Sequence, residues 1–167
     1  MGFQGTFWFV EHDDVDDVAA ALRGATTDRG MPLVARSPLS AEEWNVDRRG
    51  LGFAIASHDG WVAIAASDGR CDGELAAALA ASLHVPVVVS TVADICEPAE
   101  PEHLSVFGAD PDDPRFLGLY QRFPADYRAL AARSDAVCFV VRALEKRGHV
   151  DAWKVEASSL DDDDLAF

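Results

Sequence analysis

Apolar positions in this chain recur at two spacings, and the switches between them mark its elements. Phe3 to Val10 alternates around the aromatic run Phe7-Trp8-Phe9 and predicts a first strand. Asp13 or Asp14 then caps a helix running to about Arg23, with Val15, Val18, Ala19 and Leu22 at helical spacing. Its opening turn is crowded with acids (Glu11, Asp13, Asp14, Asp16, Asp17), where the helix dipole stabilises negative charge. Gly24 and Gly30 bracket a loop before a short strand within Met31 to Ala35. Ser40-Ala-Glu-Glu43 matches a capping box and predicts a short helix through Trp44.

Leu51 to Ser57 and Trp61 to Ser67 are apolar runs joined by His58-Asp59-Gly60, and the Asp-Gly pair predicts a hairpin. Asp72 caps a second helix, Gly73 to Leu83, with Leu75, Ala78, Leu79 and Leu83 as its packing stripe. His84 to Val89 shows no polar alternation, which predicts a central strand buried on both faces and starting after Pro86. A further strand is expected at His103 to Phe107, and a short helix from Pro124 to about Ala132. Ser134 reads as the cap of a helix from Asp135 to Lys146, closed by Gly148 with Lys146 and Arg147 at its carboxyl end. His149 to Glu156 predicts a last strand. These elements predict an α+β fold: a mostly antiparallel sheet of five to seven strands with helices on one side, or alternatively a three-layer α/β arrangement. The 167 residues suit one domain, expected over residues 1–160, with 161–167 as an acidic, mobile tail.

Charge changes the picture most. The net charge is −15, and between Arg70 and Arg115 there is no Lys or Arg against nine carboxylates. Residues 71–114 carry −9, whereas residues 115–156 carry +3, so the acidity is not a uniform coat. Such a field disfavours nucleic acid and anionic membrane as partners, because both are bound by displacing counterions with Lys and Arg. It favours fast, salt-sensitive association with a basic protein. Three cysteines with no CxxC spacing point to a reducing compartment. No leader pattern and no membrane-length apolar stretch is found, so a cytoplasmic location is expected.

Candidate chemistry is sparse. Glu11-His-Asp-Asp14 sets four potential metal ligands in a row, but helix capping accounts for Asp13 and Asp14 without a metal. His58-Asp59 has no nucleophile motif beside it, and Gly50-Leu-Gly52 lacks the third glycine of a dinucleotide loop. No metal or cofactor is expected. Ser90, Thr91 and Asp94 follow a buried strand and could line a cleft at its carboxyl end, the one enzyme-like or ligand-binding reading open here.

The stronger candidate is Glu97 to Asp113. Three prolines within it and Pro114 just after it stiffen it, and Glu97, Glu100, Glu102, Asp110, Asp112 and Asp113 flank an apolar centre at Leu104, Val106 and Phe107. With Asp13, Asp14, Asp16 and Asp17 these residues form the expected partner-binding set. A small, acidic, single-domain chain without a catalytic motif resembles in type the immunity proteins that bacteria pair with toxins. That resemblance implies a non-enzymatic toxin inhibitor whose partner is a basic toxin domain, and it carries no site residue over. An adaptor or structural subunit, or a mimic of nucleic-acid charge, is the remaining alternative.

Overall fold

The Asp59-Gly60 turn takes positive φ at both residues, 53° and 82°, as the tightest hairpin requires. It joins β3 (Gly50–His58) to β4 (Trp61–Ala66), with His58 opposite Trp61. Around this hairpin the computed structural model, which describes residues 3–37, 50–94, 103–122 and 127–142, builds one seven-stranded sheet. The other strands are β1 (Phe3–Val10), β2 (Leu33–Ala35), β5 (Val87–Asp94), β6 (His103–Phe107) and β7 (Val137–Arg142). Their order is β2-β7-β3-β4-β1-β5-β6, and every neighbouring pair is antiparallel.

The sheet's two faces use different side chains. Phe53, Ile55, Val62, Ile64, Trp8 and Val10 point to the first face, beneath α1 (Val15–Asp28) and α2 (Gly73–Leu83). Ala54, Ala56, Ala63 and Ala65 point to the second face. Their small size leaves room there for a 3-10 turn (Pro114–Phe116) and two short helices, α3 (Leu119–Arg122) and α4 (Tyr127–Ala131). Those elements bury Phe116, Leu119 and Leu130 against Phe7, Phe9 and Trp61. The expected α+β fold is therefore the one formed, in a single domain. The two long helices share one side as anticipated, and short helical turns cover the other.

Both long helices begin where their caps predict. The Asp14 carboxylate accepts from the amides of Asp16 and Asp17 at 2.8 and 3.3 Å, and Asp72 accepts from Glu74 at 2.8 Å. Asp14→Ala should therefore cost about 1 kcal/mol in urea unfolding, and Asp14→Asn much less, since the amide oxygen still caps. Gly24 does not end α1. The helix continues to Asp28, burying Thr26 while the Thr26 hydroxyl donates to the Arg23 carbonyl at 2.9 Å. Arg29 then ties α1 to the start of α2 through Asp72 (3.2 Å) and Glu74.

Three further expectations change. The segment read as a helix from Asp135 to Lys146 starts in a turn at Asp135 and is strand β7 from Val137 to Arg142, the last described residue. Its Val137, Val140 and Val141 are β-branched, and the run is flanked by β2 and β3. The strand after Pro86 is second from the sheet edge rather than central, though Val87, Val88 and Val89 are buried as predicted. Ser90 to Asp94 continue that strand instead of leaving it. Ser90 is fully buried opposite Phe7 and Leu104. The elements expected at Ser40–Trp44 and His149–Glu156, and the acidic tail, lie outside the described residues.

Candidate partner-docking surface

Antiparallel pairing brings one set of chain reversals to a common end of the sheet. Val10, Val87 and Phe107 lie side by side there, and Val62 pairs with Val10 next to the hairpin turn. The chain leaving β1 (Glu11 to Asp14), the first turn of α1, the Asp59 turn and the loop after β6 (Gly108 to Arg115) therefore gather at this end. Gly108 makes that loop possible: its φ is 79°, and a Cβ there would stand 3.2 Å from the Val85 carbonyl.

The two acidic groups singled out in sequence meet through a residue the sequence reading did not use. Arg115, the first base after the uncharged-by-cation stretch, folds back to Glu11 at 2.8 Å and to Asp113 at 2.8 Å. Its guanidinium also stacks 5.0 Å from the Phe116 ring centroid, and Phe116 packs edge-on against Trp61. A contact between residues so far apart in the chain fixes the loop after β6 against the start of α1.

Within this end the carboxylates divide by role. Asp14 caps α1, and Asp113 caps the 3-10 turn, accepting from the Arg115 amide at 3.0 Å. Asp110 closes its own turn on the Asp112 amide at 2.9 Å. The His12 ring accepts from the Asp14 amide at 2.9 Å, and its other nitrogen lies 3.9 Å from Asp17. Asp13, Asp16 and Asp112 are exposed and have no ion-pair partner among the described residues. Further along, Arg133 grips Asp135 with two hydrogen bonds, at 2.9 and 2.7 Å, and donates to the Ser57 carbonyl. That guanidinium holds the Asp135 carboxyl below the usual carboxylate range.

The apolar centre of the expected site is largely spent on the fold. Leu104 and Val106 are half-buried against the second face, and Phe107 against the first. Trp8 and Trp61 are core residues. Among the described residues, the large apolar side chain exposed at this end is Leu117, 61% accessible and next to the Arg115–Phe116 pair, which no sequence pattern distinguished. Glu97, Glu100 and Glu102 lie outside the described residues. So does the side chain of Asp94, and Ser90 and Thr91 sit inside the sheet rather than at its rim. Among the described residues no group of three His, Cys, Asp or Glu side chains could hold a metal ion, and no helix is long and apolar enough to cross a membrane.

The described cysteines, Cys71 and Cys138, are free thiols raised above the ordinary thiol range by burial, Cys71 additionally by Asp72 and Asp68. Burial keeps both protonated, so the stability this represents is fully present below the unfolded-thiol value of 9.0 and is lost as pH rises beyond it. Alkylation near pH 8, mapped by mass spectrometry, should label Cys71 and Cys138 slowly in the native protein and quickly in urea. Comparison with protein-family models, curated proteins and solved structures finds no significant match.

Proposed function

We propose that this chain is a non-enzymatic binding protein whose acidic end docks a basic protein partner, in the manner of an immunity protein covering a toxin domain. The observation that carries this reading is the convergence of Asp13, Asp16, Asp17, Asp110 and Asp112 on one end of the sheet, held in place by the Glu11–Arg115–Asp113 bridge. Preorganised carboxylates lose little side-chain freedom on binding and present a coherent field to an approaching cation. Exposed Leu117 at their border supplies an apolar anchor of the kind that carries affinity in such interfaces.

The partner is captured from lysate of the native cell on immobilised protein and eluted with a salt gradient. A predominantly basic protein released as salt rises is the expected result. A partner whose retention is indifferent to salt, or unchanged when Glu97, Glu100, Glu102, Asp110, Asp112 and Asp113 are neutralised together, overturns the proposal.

A further inference from the structure

Of the described histidines, His12, His58 and His84 all stand at the acidic end of the sheet, and His103 does not. His12 follows β1 and precedes α1. His58 ends β3 beside the Asp59 turn. His84 closes α2 in the left-handed conformation, two residues before Pro86, whose carbonyl accepts from the Glu11 amide at 3.0 Å. A Cβ on Gly108 would meet the Val85 carbonyl at 3.2 Å and the Ala80 Cβ at 3.4 Å, so the loop that carries Asp110, Asp112 and Asp113 starts against the same end of α2. From β3 to β5 is three strand spacings, ~14 Å, and the three histidines are spread over that width. His103 opens β6 opposite Thr91, four residues along the strand from Phe107 and ~13 Å away from this end.

His12 is built into the start of α1. Its Nδ1 accepts from the Asp14 amide at 2.9 Å, which sets the neutral tautomer with its hydrogen on Nε2, the nitrogen 3.9 Å from Asp17. A second proton has to enter at Nδ1, where it meets an N–H, so the imidazolium turns away from the Asp14 amide. Protonation thus adds a positive charge among Glu11, Asp13, Asp14, Asp16 and Asp17, and it removes a bond from the turn that positions them. We propose that His12, His58 and His84 make docking at this end acid-sensitive, so that a cationic partner held near neutral pH is released as the imidazoles take up protons. The inference rests on the function proposed above and adds its regulation.

The surrounding charges set the direction. Beyond its own segment, His12 is faced by the loop after β6, where Arg115 already bridges Glu11 and Asp113. His84 terminates α2, whose last turn has no basic residue and whose final carbonyls carry the negative end of the helix dipole. α1 packs on α2 and begins at that end with Asp16 and Asp17, and the Asp110 loop lies on the other side. His58 has Asp59 beside it, Arg133 bonded to the neighbouring Ser57 carbonyl and paired with Asp135, and Arg128 on α4, which packs on β3. A proton on each ring cancels part of the field that attracts the partner, and by reciprocity a bound cation opposes that proton. Imidazoles change charge between about pH 5 and pH 8, whereas carboxylates as a class titrate near pH 4, so over this interval the acids persist and the histidines change.

The probe is octalysine, which keeps its charge between about pH 5.5 and pH 7.5, added to the full chain at about 0.01 M salt. Binding is read by NMR from the backbone amide signals of Asp13, Asp16, Asp110 and Asp112, so peptide held elsewhere is not counted. The dissociation constant is expected to rise about tenfold from pH 7.5 to pH 5.5. Combining His12→Gln, His58→Gln and His84→Asn should reduce that rise to less than about twofold, while His103→Gln leaves it in full; glutamine keeps an acceptor for the Asp14 amide, and asparagine tolerates the left-handed backbone. If the triple variant does not fold, the pair His58→Gln and His84→Asn, both at exposed positions, should remove about half of the effect on a logarithmic scale. A constant that does not change with pH in the unaltered protein, that rises as steeply in the triple variant or the pair, or that His103→Gln flattens equally overturns the switch and leaves acidic docking standing. Octalysine that moves none of these signals at pH 7.5 overturns the switch together with the docking on which it rests.

Discussion

Replacing Phe53 with alanine is expected to cost about 3–5 kcal/mol, the cost of truncating a fully buried aromatic ring. Phe53 stands where three strands depend on one another. Its ring meets Trp8 of β1 edge-on at 5.8 Å and Phe139 of β7 at 5.3 Å, and Arg23 of α1 lies 5.6 Å from the Phe139 ring. Between them on β4 stand Ile64, opposite Trp8, and Ala66, opposite Phe53, both buried in the same cluster. A domain of this size has only about 5–15 kcal/mol of total stability, so a fall in melting temperature of about 10–15 °C should follow. A loss below about 1 kcal/mol in urea unfolding would mean that the three rings do not act as a joint. Phe53→Leu, which fills part of the space, should recover some of the loss.

Neutralising Asp13, Asp16, Asp110 and Asp112 together to asparagine is expected to slow association with the captured basic partner by about tenfold to a hundredfold. These residues are chosen because Asp13, Asp16 and Asp112 sit outside the caps and ion pairs, and asparagine at position 110 still accepts the Asp112 amide. Stability should change little, since relieving repulsion in a chain of net charge −15 offsets the loss of Asp16 from the first turn of α1. Neutralising Asp28, the last residue of α1, and Asp68, which follows β4, both toward the opposite end, should alter the rate far less. Equal effects from the two sets would mean that net charge, and not the placement of these carboxylates, steers the encounter.

Local signals carried most of the fold. Asp59-Gly60 determined a hairpin because two residues with positive φ are what that turn needs, and Asp14 and Asp72 marked helix starts because each satisfies amides that no helix can pair internally. Where two local signals competed, tertiary context decided. Ser134 and Asp135 resemble a cap, but Phe139 to Val141 are buried and Val137 and Cys138 half-buried within the sheet, and periodicity does not separate a buried strand from a buried helix. Ser90 and Thr91 looked like a strand exit by residue type, yet hydroxyl side chains are at home within a strand when its neighbours satisfy them.

The candidate surface was legible only in part. Charge counting located the acids, but nothing local says that Asp13–Asp17 and Asp110–Asp113 share one end of the sheet. That juxtaposition depends on β1, β5 and β6 being neighbours and on Arg115 reaching Glu11, both long-range facts. Sequence pattern likewise put Leu104 and Phe107 forward as a contact centre when the core uses them, and passed over Leu117, an isolated exposed leucine. Apolarity marks what a residue can bury, and the fold decides against what.

The most direct measurement of the central claim is the association rate of the captured partner as ionic strength rises from about 0.01 M to about 0.15 M, where the Debye length shrinks from about 30 Å to about 8 Å. The account predicts a fall of at least tenfold for the unaltered protein and a nearly flat dependence for the Asp13, Asp16, Asp110 and Asp112 variant. A rate that stays constant for the unaltered protein, or that falls equally for the variant, would contradict it.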